Sequence, residues 1–450
     1  MQELLHKEFE LLREIEPIRQ TGRVKQIIGL VLECEGLTVP IGSLCLIKAL
    51  AGKKNIRAEV VGFREDVSLL MPLGDTQGIR RFDEIQCISS YQTVGVGDSL
   101  LGRILDAEGK PIDDGPPLFT TTRNPIYMVA PHPLKRELIE KPLATGIRSI
   151  DALLTCGKGQ RLGLFAGSGV GKSVLMGMIV RNTSADVSVV CLVGERGREV
   201  REFIERDLGV EGLKRSVVIV ATSEQSALLR VKAPFTASAI AEYFRDHGKD
   251  VLLFMDSITR MANSQREIGL SAGEPPATRG YPPSMYAMMP KLLERAGNND
   301  KGSITGIYTV LVEADDMNEP IADHARSILD GHIWLSRELA TRGHYPAIDP
   351  LVSISRLMIS VVDKNHLDTA NRVKAILETY REHEDMINIG AYVKGSSSEI
   401  DAAIKMINPI NNFLRQDLKE KVTFEDSKKA LLELVKAVTP AGSEVKTNAA

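Results

Sequence analysis

An excess of charge of either sign is almost absent from this 450-residue chain: 56 Lys and Arg stand against 59 Asp and Glu, a net charge of -3. That leaves no electrostatic footprint for nucleic acid. Cysteine is sparse as well. The five (Cys34, Cys45, Cys87, Cys156 and Cys191) are odd in number and scattered, with no CxxC pair and no His spacing suited to zinc, so reduced cytosolic thiols are the simplest reading. No apolar run is long enough to cross a bilayer, because the one beginning near residue 162 is interrupted by Lys172. The N-terminus lacks the basic start and apolar core of a signal peptide, so membrane association is expected to be peripheral. Repeats and low-complexity tracts are missing too. What remains is the composition of a soluble globular protein, 43% apolar and 26% charged, at a length suited to two or three domains.

Met1 to Ile15 carries Leu5, Phe9, Leu12 and Ile15 at helical spacing before Pro17, which predicts an amphipathic helix over residues 1–20. Its apolar stripe either docks on its own protein or takes a partner. Residues 21–90 read as a small β-barrel, with short β-branched runs (Val24 to Leu32, Leu44 to Ile47, Ile56 to Val61, Val67 to Met71) punctuated by glycine. Few aromatics stand there to stack bases, which favours an oligomer-forming or structural role over oligonucleotide binding. A Gly- and Pro-rich connector, Val94 to Pro133, opens the next domain, residues 91–365. Within it strand-like runs alternate with helical patterns: Leu162 to Phe165, Val187 to Val193, Val217 to Ala221, Val251 to Met255, Gly306 to Val312 and Ile333 to Leu335. This is the pattern of a mainly parallel sheet with helices on both faces. Helical periodicity over 366–440 predicts a C-terminal helical domain, followed by a frayed tail at 441–450.

The strongest motif is Ala166-Gly167-Ser168-Gly169-Val170-Gly171-Lys172-Ser173, between a strand-like run and the helix-like run from Val174. Glycines let backbone N–H groups turn onto a polyphosphate, Lys172 reaches the terminal phosphates, and the Ser173 hydroxyl can ligate Mg²⁺ at a helix start. Ala166 replaces the usual first glycine, so this is the looser form of the motif. Nucleoside triphosphate binding follows. Asp256 ends the apolar run from Val251, as does the carboxylate that completes a magnesium shell beside such a loop. Glu195, in Gly194-Glu195-Arg196-Gly197-Arg198-Glu199, directly follows another strand-like run, where a carboxylate could orient an attacking water; a surface charge cluster is the other reading. Glu199 is the weaker candidate of the two.

Further blocks, Thr145-Gly146-Ile147-Arg148-Ser149-Ile150-Asp151, Ala277-Thr278-Arg279-Gly280-Tyr281-Pro282-Pro283 and Pro346-Ala347-Ile348-Asp349-Pro350-Leu351-Val352-Ser353-Ile354-Ser355, together with the loop, resemble the catalytic subunits of rotary ATP synthases and their secretion-system relatives. Leu154-Thr155-Cys156-Gly157 and Asp316 to Asp323 are similar to the protein-export members, and Gly167-Ser168-Gly169-Val170 to their flagellar branch rather than that of virulence-type injectisomes. The resemblance covers nearly the whole chain. It implies a β-barrel, a RecA-like P-loop α/β domain and a C-terminal helical domain, and a Mg²⁺-dependent ATPase working as a homohexameric ring. It makes Lys172 the phosphate clamp, Ser173 a magnesium ligand, Asp256 a carboxylate acting on that metal through its shell, and Glu195 the residue orienting water. Arg356 becomes an arginine finger reaching a neighbour's nucleotide, or else a plain surface charge; Tyr345 packs on adenine, or else is a core aromatic. Gly167 to Val174 would cradle phosphate, with Arg196 and Arg260 as further contacts, and Tyr392 stands near a possible base site without a defined role. The implied partners are an export regulator at the N-terminal helix, with Leu5, Phe9 and Leu12 as its contacts, a stalk-like coiled coil on the ring axis, the membrane export gate, and export substrates with their chaperones. The implied place is the cytoplasm, against the inner face of the cell membrane at the flagellar base. A catalytically silent nucleotide-binding subunit and a nucleic-acid ring helicase are the competing readings; Glu195 argues against the first and the acidic balance against the second.

Overall fold

The computed structural model describes residues 20–48, 55–312 and 315–436. The amphipathic N-terminal segment with Leu5, Phe9 and Leu12, and the tail at 441–450, lie outside them. Six antiparallel strands, β1 (Thr21–Ile28), β2 (Val31–Glu35), β3 (Leu44–Lys48), β4 (Ile56–Arg64), β5 (Val67–Pro72) and β6 (Glu84–Ser89), close into a barrel in the order β1-β2-β5-β4-β3-β6. Closure leaves no free edge, and alternate residues such as Val24, Leu32, Ile47, Val60 and Leu70 fill the interior. The apolar run from Val24 to Leu32 is two strands rather than one. Ile28 pairs with Val31 across a two-residue turn, and Gly29, at φ +60°, supplies the left-handed backbone that such a hairpin needs.

A second sheet dominates the middle of the chain. Its strands are β7 (Ile104–Asp106), β8 (Arg161–Ala166), β9 (Val187–Glu195), β10 (Ser216–Thr222), β11 (Asp250–Asp256), β12 (Ser303–Leu311), β13 (Gly331–Leu335) and β14 (Ile354–Ser355), in the order β14-β13-β8-β12-β11-β9-β10-β7. All neighbours along this path are parallel except β14, which lies antiparallel to β13 at the edge. The Val- and Ile-rich strands are buried on both faces because each face carries helices. The helix α1 (Lys172–Asn182) lies on one face, and α2 (Ala227–Asp246) and α3 (Ile258–Ala272) on the other. The connector from the barrel is more than a tether: β7, drawn from it, adds to the far edge beside β10.

Barrel and sheet are joined through a buried ion pair. Lys232 on α2 sits 2.8 Å from Glu59 of β4 and also donates to Gln92. Lys232 is 1% exposed, so removing either charge would strand the other in an apolar wall. At the opposite end of the chain, α4 (Lys364–Asn388), α5 (Ser398–Leu414) and α6 (Phe424–Lys436) pack Val373, Leu377, Met406, Ile410 and Leu431 against the α1 face. Gln416, just beyond α5, pins them there. Its backbone donates to Tyr345 O at 3.0 Å, its amide nitrogen to Gly146 O at 2.9 Å, and its carbonyl accepts from Arg148 N at 2.8 Å. Among the described residues, no helix is long and apolar enough to cross a membrane.

Candidate active site

The glycine loop leaves the carboxyl end of β8 and runs into α1. Gly169 (φ +79°) and Gly171 (φ +87°) both hold left-handed backbone, and Gly171 precedes a helix start with no side-chain cap. The first amides of α1 therefore stay available to an anion. Val170 is buried beneath the loop, while Ser168, Gly169 and Ser173 face solvent.

Neighbouring strands deliver the carboxylates to the same edge. Asp256 closes β11 and Glu195 closes β9, where Leu192 pairs with Asp256. Lys172 Nζ ion-pairs with Asp256 Oδ1 and lies 3.6 Å from Glu195 Oε1. Asp256, 2% exposed, also accepts 2.5 Å from Thr309 Oγ1. From α3, Arg260 reaches Glu195 Oε1 at 2.6 Å and donates to Gly194 O at 2.8 Å. Gly194 permits that approach: at φ +68°, an added Cβ would stand 2.9 Å from Arg260 Cδ. The loop, Ser173, Val174, Glu195, Glu199, Arg260 and Arg337 line a cavity of about 680 Å³. Glu199, on the helix Gly197–Glu202, lines the same cavity as Glu195 and ion-pairs with Arg196 at 3.8 Å. It thus joins the cluster more closely than its sequence suggests. A hydroxyl at a helix start and a buried carboxylate two strands away form an oxygen donor set that fits Mg²⁺, which takes few protein ligands and leaves the rest to phosphate and water.

A second hollow of about 600 Å³ opens behind the same loop. Val174, Met178, Leu335, Tyr345, Pro346 and the loop at Arg415 to Leu418 line it. Tyr345 stands over Gly171, whose added Cβ would come 3.3 Å from the ring. One glycine loop therefore separates a charged hollow from a largely apolar one, which matches the polyphosphate and base ends of a nucleotide.

Two candidates lie elsewhere. Arg196 caps the helix Gly197–Glu202 in extended backbone, opposite in alternation to Glu195, and its side chain is 78% exposed and outside both hollows. Arg356 is exposed just after the edge strand β14, its backbone bonded to Asp330 O beside the amino end of β13. Strands of six residues span about 20 Å, so Arg356 belongs to the end of the sheet away from its own loop. Tyr392 lines neither hollow; its hydroxyl donates to Ser397 O at 2.9 Å and secures a turn before α5. Arg337 and the Arg415 to Leu418 loop were not legible as site residues, because long-range packing alone brings them to the glycine loop.

Comparison with known proteins identifies the family and the fold. The pattern of the ATP synthase alpha/beta family nucleotide-binding domain matches residues 146–355, and that of the same family's beta-barrel domain matches 24–88. The T3SS EscN ATPase C-terminal domain matches 362–433. The flagellum-specific ATP synthase of Bacillus subtilis (strain 168) is 54% identical over 423 residues, 92% of this chain and 95% of that protein. The type 3 secretion system ATPase of Xanthomonas euvesicatoria is 48% identical over 94% of each chain. Among solved structures, the assembled ATPase EscN of the enteropathogenic E. coli type III secretion system superposes with a TM-score of 0.88 at 45% identity, covering 92% of this chain and 100% of that one. EscN in complex with its central stalk EscO gives 0.86 at 44%, with the same coverage.

Proposed function

This chain belongs to the family of flagellum-specific ATP synthases and type 3 secretion system ATPases, and from that premise we propose that it hydrolyses ATP at the seams of a homohexameric ring to energise flagellar type III protein export. The observation that carries the reading is the convergence of Lys172, Glu195 and Arg260 on one cavity at the mouth of the glycine loop, with the buried Asp256 ion-paired to Lys172 beneath it. Phosphoryl transfer to water asks for positioning and fixed charge rather than covalent help, and these side chains offer both. In this reading Lys172 and the loop amides grip the phosphates; Ser173 would ligate Mg²⁺ and Asp256 would act on it through its water shell, the ion supplying charge to offset that developing on the phosphate oxygens. Glu195 orients the attacking water, with Arg260 fixing its carboxylate, and Tyr345 packs on the adenine. Arg356 of the next protomer completes the seam, and Arg196, exposed and 3.8 Å from Glu199, would have to leave that ion pair to contact phosphate or that protomer.

The wider setting rests on the relatives. A coiled-coil stalk on the ring axis is proposed from the EscN assembly with its central stalk. An export regulator at the N-terminal segment, the membrane export gate and chaperoned cargo are proposed as further partners, with the ring on the cytoplasmic side of the membrane at the flagellar base. A virulence-type secretion ATPase is the second reading, favoured by the 48% identity to the Xanthomonas euvesicatoria enzyme, and it shares the same chemistry. The deciding measurement is ATPase rate per protomer against protein concentration, with particle mass recorded alongside. We expect the rate to climb cooperatively as rings form; a rate per protomer that stays constant from monomer to ring would refute hydrolysis at seams.

A further inference from the structure

Arg337 opens the short helix Arg337–Thr341 after β13, whose last residue, Leu335, pairs with Ala166 at the foot of the glycine loop. Its guanidinium lies across the loop. Nη1 donates to Ser168 O at 3.3 Å, and Nε stands 3.2 Å from Asp315 Oδ2. The pair rests directly on Gly167: a Cβ added there would meet Arg337 Nη2 at 2.6 Å and Asp315 Oδ1 at 2.7 Å. Asp315 is held in left-handed backbone at φ +57°, and its Oδ1, shielded from solvent, accepts no hydrogen bond. Both features cost free energy, so the contact is specified rather than incidental.

We propose that Arg337 is a positioning residue that acts with Asp315 as a clasp, fixing the outer turn of the glycine loop in the shape that receives phosphate. The inference rests on the ATPase reading above. Its chemistry separates it from simple electrostatics. As a bare charge, Asp315 repels polyphosphate, so neutralising it should tighten ATP binding. As half of a clasp, its loss should weaken binding. Likewise Lys at 337 keeps the charge but loses the planar fork that spans Ser168 O and Asp315 together.

The test is steady-state kinetics of the full chain with Mg-ATP for Arg337→Ala, Arg337→Lys, Asp315→Asn and the Arg337→Ala/Asp315→Asn pair, with thermal midpoints measured in parallel. Asn tolerates left-handed backbone, which protects the fold at 315. We expect KM for ATP to rise about ten-fold in Arg337→Ala and several-fold in Arg337→Lys and Asp315→Asn, with smaller falls in kcat and unchanged melting. The double variant should be no worse than Arg337→Ala alone. A lowered KM in Asp315→Asn, a parent-like Arg337→Lys, or additive losses in the pair would overturn the clasp. A parent protein with no ATPase activity at any concentration would instead sink the ATPase reading and the clasp with it.

Discussion

The two ends of the central sheet carry opposite kinds of chemistry. At the carboxyl end the groups are paired inward: Lys172 lies between Asp256 and Glu195, and Arg260 locks Glu195 from the next helix. At the amino end of the β13–β14 edge, Arg356 is exposed. The strands between hold them apart by about the length of the sheet, roughly 20 Å. The contrast teaches that a folded chain can order one set of charges and leave another exposed at the far end of the same sheet. On the proposed reading, the cradle is set on folding and a second copy would supply the exposed guanidinium.

The sharpest way to break that contrast is Arg356→Ala. If the exposed guanidinium serves a neighbour's site, ATP hydrolysis at ring-forming concentrations should fall by about 10³ to 10⁵, with ATP binding to the monomer intact. Mixing Arg356→Ala with Glu195→Gln should restore a fraction of the activity, since some seams then pair an intact Glu195 with an intact Arg356. Unaltered turnover in Arg356→Ala would remove the amino end from the chemistry. A smaller effect sharpens the carboxyl end itself: Tyr345→Ala should raise the Kd for ATP about ten-fold while Tyr345→Phe stays near the parent, by titration of a fluorescent nucleotide. Equal affinity in Tyr345→Ala would return the ring to the role of a core aromatic.

A last comparison, read in stability rather than activity, sets the half-buried His332 against the buried His344. His332, near Arg356, has Nε2 bonded to Val352 O at 2.9 Å, whereas Nε2 of His344, beside Tyr345, is buried without a partner. Burial first, and then the charge of Arg415, pushes His344 down to about 4 from an ordinary 6.5. Between those values the unfolded chain binds the proton that the folded chain refuses. Stability is therefore full above pH 6.5 and declines as pH falls towards 4, by at most about 3 kcal/mol from this group. Melting curves across that range should show a shallower acid loss in His344→Leu. An identical acid limb in parent and variant would contradict the assignment.

Much of this layout could be read from residues in line. The strand runs from Leu162 to Leu335 stand where the pattern places them, because a strand buried on both faces advertises itself as unbroken Val, Ile and Leu. Asp256 and Glu195 were recognisable for a related reason, each being the charge that ends such a run. Other elements gave no comparable signal. Ile104–Asp106 is three residues in a Gly- and Pro-rich stretch, and becomes a strand because β10 offers it an unpaired edge. The hairpin at Gly29 is hidden by apolar residues on both sides of the turn. Arg337, Arg415 and Gln416 come from segments remote from the loop, and no local periodicity reports a contact made across some 170 to 250 residues. Arg196 shows the converse: it sits in the same motif as Glu195, yet strand alternation turns its side chain away.

The way the barrel is fastened has a mechanical consequence. Because β7 is woven into the far edge of the sheet and Lys232 grips Glu59 across the joint, a twist applied to the barrel has two routes into the rest of the protomer. One loads the short parallel pairing of β7 with β10 in shear; the other pulls along α2 towards the sheet it covers. Torque on the crown of such a ring would therefore be shared by every protomer as strain in its own sheet, rather than lost in slack linkers.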